Sequence, residues 1–333
     1  MTTSFRTSPF FIIGMPRSGT KLLRALLNNH SDIHIPSEES EFIPYWLKKW
    51  NAFGNLQDMD QFVKFYSWTS TLPFFLSRDN RDKAIGIDHW YGNCLAFDPP
   101  GVFMGLLKSI AQHEKPTASV LGDKSPSYIN ELEVLKAQFP DAVMIHIVRD
   151  VRDQVMSFNR AYGKHPLRAA QRWDQGVGAV LEFAARHQQS YCEVLFEELI
   201  EHTRENLERI CEFLGVSYHP SMEQINRPTE NKGAAKGYSG IMKDNKNRYL
   251  TEMPESLRRQ VEMLTVDTMS ALGYPVEYSG KKKRLSHMRM TALQMTDGFR
   301  LVMNCFRQPN PRRSFYFLRQ YWRTTAKLEL FKR

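Results

Sequence analysis

"FFIIGMPRSGTKLL", residues 10–23, passes from an apolar run through Gly14, Pro16, Arg17 and Gly19 into a segment whose Leu22, Leu23, Leu26 and Leu27 share one helical face. A short, continuously apolar run bounded by turn residues is the pattern of a buried parallel strand. A Gly-bounded loop between such a strand and a helix gathers backbone N–H groups at the positive end of the helix dipole, which suits phosphate or sulfate. Gly14 and Gly19 have the separation of a nucleotide P-loop, but there a Lys precedes a hydroxyl that ligates magnesium. Here Thr20 precedes Lys21, and Arg17 and Ser18 add donors inside the loop. That order fits an anion held without an obligatory metal, by Arg17, Ser18, Gly19, Thr20 and Lys21.

Further along, strands and helices alternate. "SVLGDKSP" (119–126) reads as a second buried strand with a polar tip, and "SYINELEVLKAQF" (127–139) as one helix with Ile129, Leu132, Leu135 and Phe139 inward. "AVMIHIVRD" (142–150) is the clearest strand and leads into a helical "VRDQVMSFNRAY". A helix over about 166–189, a strand "YCEVLFEEL" and a helix "TRENLERICEFLG" stopped by Gly215 follow. Alternation of this kind implies a parallel sheet covered on both faces, with the site at the carboxyl ends of the strands. His146 alternates along its strand as a core residue would.

The 333 residues are 42% apolar, ample for a packed core. Cys94, Cys192, Cys211 and Cys305 show no paired spacing, so neither zinc nor a disulfide framework is implied, and a reducing, cytoplasmic setting is expected. The first apolar run is too short for a secretory or membrane segment. There is no HExxH, no GxSxG and no cluster of Cys and His, so no metal is expected. Residues 45–103 hold 14 aromatics, which are expected mainly in the core of a helical insertion (45–118), with the remainder free to line an acceptor pocket. Residues 281–333 hold fourteen Lys or Arg against two acids, more than the whole chain's excess of +9. The domain boundary is therefore expected at 280, between a P-loop-type α/β domain (1–280) and a basic, helical extension.

Three segments together resemble the sulfotransferase family, which moves the sulfuryl group of 3′-phosphoadenosine 5′-phosphosulfate (PAPS) to an acceptor hydroxyl or amine. "GMPRSGTKLL" resembles its 5′-phosphosulfate loop, and "IHIVRDVRDQVMSF" its 3′-phosphate segment, which implies that Arg149 and Ser157 bind that phosphate. "HSDIHIPSEESEFIP" (30–44) resembles the stretch that carries a catalytic Glu in tyrosylprotein sulfotransferases and bacterial relatives. The resemblance spans roughly 10–275. Alignment on "ES-EFIP" makes Glu39 the base, whereas counting from Pro36 makes it Glu38. "SEESEF" also fits a helix-capping pattern. Lys124 in "GDKSPSY" resembles the catalytic Lys of that branch, with Arg17 a second cation for the leaving phosphate. Phe196 stands where the family often has Tyr. "AKGYSGIMKDNKNRYLT" (235–251) partly resembles a cofactor-clamping loop, through Lys236, Gly237 and Gly240, with Ala235 in place of the usual Arg.

The physical chemistry of the residues agrees. PAPS carries anionic groups at two separate points and so needs two anion sites. An attacking hydroxyl needs a base, and a fixed cation favours the charge that develops on the leaving oxygen. The implied reaction is sulfuryl transfer by in-line displacement to a hydroxyl of a glycan, lipid or small molecule, without metal. The alternatives are a P-loop kinase or NTPase and a non-enzymatic adaptor for membranes or polyanions. In the tail, Met288, Met295, Phe299, Val302 and Phe306 lie near helical spacing among basic residues. They could pack on the catalytic domain, or bind an anionic membrane surface and make the protein peripheral at the inner face. Nucleic acid fits less well, since no recognised binding module accompanies the charge.

Overall fold

A computed structural model describes residues 8–77 and 85–306. The described chain divides into two compact units. The first runs to Asp150 and resumes over Gln175–Arg248; the second comprises Val151–Asp174 and the chain from Tyr249.

The first unit is built on five parallel strands in the order β2-β3-β1-β4-β5. These are β1 (Phe10–Ile13), β2 (Ile33–His34), β3 (Val120–Lys124), β4 (Val143–Val148) and β5 (Tyr191–Leu195). The α/β reading therefore holds. Side chains alternate across β1 as strand geometry requires. Phe11 and Ile13 face an aromatic layer, and Phe10 and Ile12 face a layer that includes α1 (Thr20–Asn28).

The aromatic layer comes from helices α2 (Ile43–Lys49), α3 (Met59–Thr69), α4 (Pro73–Ser77), α5 (Ile87–Asn93) and α6 (Pro99–Glu114). Trp46, Phe62, Phe65, Phe74, Trp90 and Phe103 are buried there, so these rings are core rather than pocket lining. Trp46 stacks on Trp90 at 6.0 Å between centroids and meets Phe65 edge-on at 5.0 Å. Such pairs contribute about 0.5–1.5 kcal/mol beyond area burial.

Three local expectations need correction. The single helix over 127–139 is a 3₁₀ turn (Pro126–Asn130) followed by α7 (Leu132–Gln138), interrupted at Glu131. The four residues read as inward are nevertheless buried, because the spacing survives the break. The strand read through "YCEVLFEEL" ends at Leu195, and α10 (Phe196–Glu201) begins at once. "SEESEF" does not start a helix: α2 begins at Ile43 with Phe42 at its N-cap position, so Glu38 and Glu39 stand in open loop.

The second unit contains α8 (Val151–Tyr162), the start of α9 (Pro166–Arg186), α12 (Tyr249–Glu252), α13 (Glu255–Ala271) and α14 (His287–Phe306). Buried acids organise it. Glu262 pairs with Arg152 at 2.7 Å and accepts the Glu277 and Tyr278 amides at 3.0 and 2.9 Å. Gly215 closes α11 (Thr203–Leu214) of the first unit in the left-handed conformation, as its position after the last apolar turn requires. Residues 307–333, with the aromatic and basic "SFYFLRQYWRTTAKLELFKR", lie outside the described residues.

Candidate functional site

The chain leaves β1 towards β2 on one side of the sheet, whereas β4 continues towards β5 on the other. The crevice between β1 and β4 is thus the switch point where open α/β sheets bind ligands. The loop 14–19 and Arg149 stand on either side of it. Neighbouring strands lie about 4.8 Å apart, so both anion sites expected from the sequence fall at adjacent strand ends.

The loop approaches the sheet closely. A Cβ on Gly14 would stand 2.5 Å from the Ile147 carbonyl oxygen, and one on Gly19 would stand 2.4 Å from the Phe196 ring. Gly19, with φ of 103°, is also the N-cap of α1 and leaves the helix N-terminus without a side-chain cap. Ser18 is buried, its amide bonded to the Met15 carbonyl at 3.1 Å, and its hydroxyl has no hydrogen-bond partner among the described residues. Thr20 is buried and Lys21 half-buried on the first turn of α1. An orphaned hydroxyl beside an uncapped helix N-terminus fits an anionic ligand. Arg17 holds φ at 76°, a costly value for a residue with a Cβ and of the kind found at ligand sites.

Arg17 and Arg149 line one cleft together with Gly19, Leu22, Phe196, Ile200, Thr229, Glu230, Ala235, Tyr238, Gly240, Met242 and Asn245. The late loop, weakly matched in sequence, therefore lines the cleft opposite both arginines. Arg17 Nη1 donates to Glu230 Oε2 at 2.6 Å and Nη2 to the Lys232 carbonyl at 2.9 Å. Arg149 Nη2 donates to the Asn245 carbonyl at 2.6 Å, and its guanidinium lies over the Phe196 ring at 4.5 Å. The aromatic ring at 196 thus serves the site without a hydroxyl. Ser157 is buried on α8, within the second unit.

On the other side of β1, Ile12 is in register with Lys124 at the end of β3. Lys124 is 1% exposed, and its ammonium pairs with the Glu39 carboxylate from the loop after β2. The two residues read separately as cation and base are therefore in contact. Burial pulls the Lys124 pKa down, opposed first by the Glu39 charge. Asp123 beside it is fully buried and pushed up to about 6 by burial, while Ser40 and Ser125 hydroxyls pull the other way. Ser40 Oγ donates to Asp123 Oδ2 at 3.0 Å and lies 2.8 Å from Tyr128 Oη, which fixes the loop one residue beyond Glu39. Glu41, with φ of 50°, is strained on the same loop.

Two participants were not singled out in the sequence. Arg24 on α1 donates to the Ser37 carbonyl and faces the charges of Glu39, Glu38, Glu230 and Asp123. Glu230 is the carboxylate that holds Arg17. Burial also lifts Glu197 to about 7, although its Oε1 accepts the Asp150 amide at 3.0 Å.

The sequence profile of the sulfotransferase family matches residues 9–220, which contain the sheet and both strand-end segments. The chain belongs to the sulfotransferase family. It is thus a member of a transferase family whose sulfuryl donor is PAPS. Protein-tyrosine sulfotransferase 2 of Gallus gallus is 25% identical over 230 residues, covering 66% of this chain and 55% of that protein. Protein-tyrosine sulfotransferase 1 of Homo sapiens is 32% identical over 147 residues, 44% of this chain and 32% of that protein. The chain spans about half the length of the curated relatives it matches. Among solved structures, the sulfotransferase domain of the Synechococcus PCC 7002 olefin synthase superposes with a TM-score of 0.56 at 20% identity, covering 83% of this chain and 98% of that one. A sulfotransferase domain from the curacin biosynthetic pathway gives 0.55 at 21%, covering 82% and 100%. Both share the fold.

Proposed function

We propose that this chain transfers the sulfuryl group of PAPS to an acceptor hydroxyl, with Glu39 as base and Lys124 as the leaving-group cation. The observation that carries the reading is the lateral order of the strand ends. The sheet order β2-β3-β1-β4 sets Glu39, Lys124, the loop 14–19 and Arg149 side by side along one edge. This is the order a donor with a 3′-phosphate, a 5′-phosphosulfate and an incoming acceptor requires. The loop with Arg17, Ser18, Gly19, Thr20 and Lys21 takes the phosphosulfate, and Arg149 takes the 3′-phosphate. Neither role calls for a metal.

In the transfer, the acceptor oxygen forms a bond to sulfur as the bond from sulfur to the phosphate oxygen breaks. Glu39 Oε takes the acceptor proton. The released phosphate oxygen gains negative charge, which Lys124 and Arg17 stabilise because both are fixed before the reaction. Contact with Lys124 orients Glu39, and Ser40, Asp123 and Tyr128 hold its loop. The relatives named for tyrosine set one kind of acceptor hydroxyl, and a glycan, lipid or small-molecule hydroxyl remains within the same chemistry.

The test is incubation with radiolabelled PAPS and pooled hydroxyl acceptors in EDTA. Label should pass to an acceptor, and Glu39→Gln should lower turnover by about two to four powers of ten with nucleotide affinity little changed. Full activity in Glu39→Gln with a dead Glu38→Gln would move the base one residue upstream. Activity in both would remove carboxylate base catalysis.

A further inference from the structure

Helix α14 presents two opposed faces. On the inner one, Asp297 accepts the His165 amide at 2.8 Å and Arg168 Nη1 at 2.9 Å, and Gly298 is buried beside it. On the outer one, Met288, Met295 and Phe299 are 84%, 70% and 67% exposed. With Ala292 they follow one another at steps of four, three and four residues, so they form one stripe along the helix. Val302 and Phe306 continue the same spacing in the sequence. Apolar side chains exposed singly are ordinary, whereas an ordered row marks a contact surface.

Charge selects the occupant. Residues 281–306 carry six Lys or Arg against Asp297 alone, and Arg289 and Arg300 are exposed on α14 itself. A second copy of the chain would bring a like excess of positive charge to the same place. An anionic bilayer meets it with the opposite sign and offers an acyl boundary to Met and Phe. None of the described helices is long and apolar enough to cross a membrane, so the helix would lie in the surface. We propose that α14 docks on an anionic phospholipid membrane, with Met288, Met295 and Phe299 entering the acyl boundary and the surrounding Lys and Arg drawn to the headgroups.

The full chain would be sedimented with phosphatidylcholine vesicles and with vesicles that also contain phosphatidylglycerol, at low and moderate salt. Binding to the anionic vesicles alone, weakening as salt shortens the Debye length, is expected. A Met295→Glu/Phe299→Glu variant, altered only at exposed side chains, should lose at least tenfold in vesicle binding while it still binds 3′,5′-phosphoadenosine. Should that variant fail to fold, Phe299→Ala together with Lys281→Glu and Lys283→Glu tests the same surface. Equal binding to neutral vesicles, or unchanged binding by these variants, would overturn the proposal. So would a concentration-dependent dimer, formed without vesicles and lost in the variants, which would give the stripe to a second copy.

Discussion

Replacing Glu230 by Gln should tighten the binding of 3′,5′-phosphoadenosine. Arg17 is held by the Glu230 carboxylate at 2.6 Å and by the Lys232 carbonyl at 2.9 Å, and the two side chains of the ion pair are only 8% and 14% exposed. If Arg17 faces the 5′-phosphate, that carboxylate occupies the guanidinium edge the ligand needs and adds a like charge beside it. With Gln the bond from the Arg17 guanidinium is kept, and what is lost is the attraction between the two full charges, about 1 kcal/mol for a pair at the edge of solvent. That attraction, about 1 kcal/mol, is a part of the binding cost that the variant avoids, so affinity should rise roughly fivefold. Calorimetry in EDTA at fixed ionic strength measures it. An Arg17→Ala background should erase the gain, since the two side chains act through each other. Unchanged or weaker binding by Glu230→Gln would refute the reasoning, because Arg17 would then not be shared between the loop and the ligand.

Two further outcomes follow from the same geometry. Arg149→Ala should weaken 3′,5′-phosphoadenosine by about 1.5–3 kcal/mol and leave a ligand lacking the 3′-phosphate nearly unaffected; equal losses for both would make Arg149 structural. Burial holds the folded pKa of Glu197 near 7 and that of Asp123 near 6, above their unfolded values. The native state then binds more protons than the unfolded one between about pH 4 and 7, so these groups make stability fall as pH rises through that window. Thermal melts of Glu197→Gln should show a shallower fall between about pH 5 and 7, and a slope equal to that of the parent would remove Glu197 as a cause.

The parts of the site that lie at the ends of strands were legible in the sequence. Gly14–Lys21 and Arg149 each follow a strand whose continuous apolar stretch marks it, Lys124 ends the shorter β3 in a polar tip, and strand alternation with helices places all three tips on one edge. The two-residue β2 was not legible, because periodicity needs a longer segment to register. The handover from β5 to α10 was missed since Phe196 and Leu199 are apolar under either period. Arg24 reads as a solvent-facing position of an amphipathic helix until the loop after β2 folds over it. Glu230 lies far along the chain from Arg17 in a segment without periodicity, so only the fold joins them. The aromatic stretch was legible as core, and the fate of Glu38 and Glu39 was not, because a capping pattern and an open loop share the same residues.

The central claim is a metal-independent site for a nucleotide that carries both a 3′- and a 5′-anion. Calorimetric titration of 3′,5′-phosphoadenosine in EDTA, set beside ATP with and without magnesium, tests it most directly. Saturable one-site binding of the bisphosphate in EDTA, tighter than that of ATP under either condition, is the expected result. A magnesium requirement, or ATP binding more tightly than the bisphosphate, would contradict it and give the loop to a triphosphate.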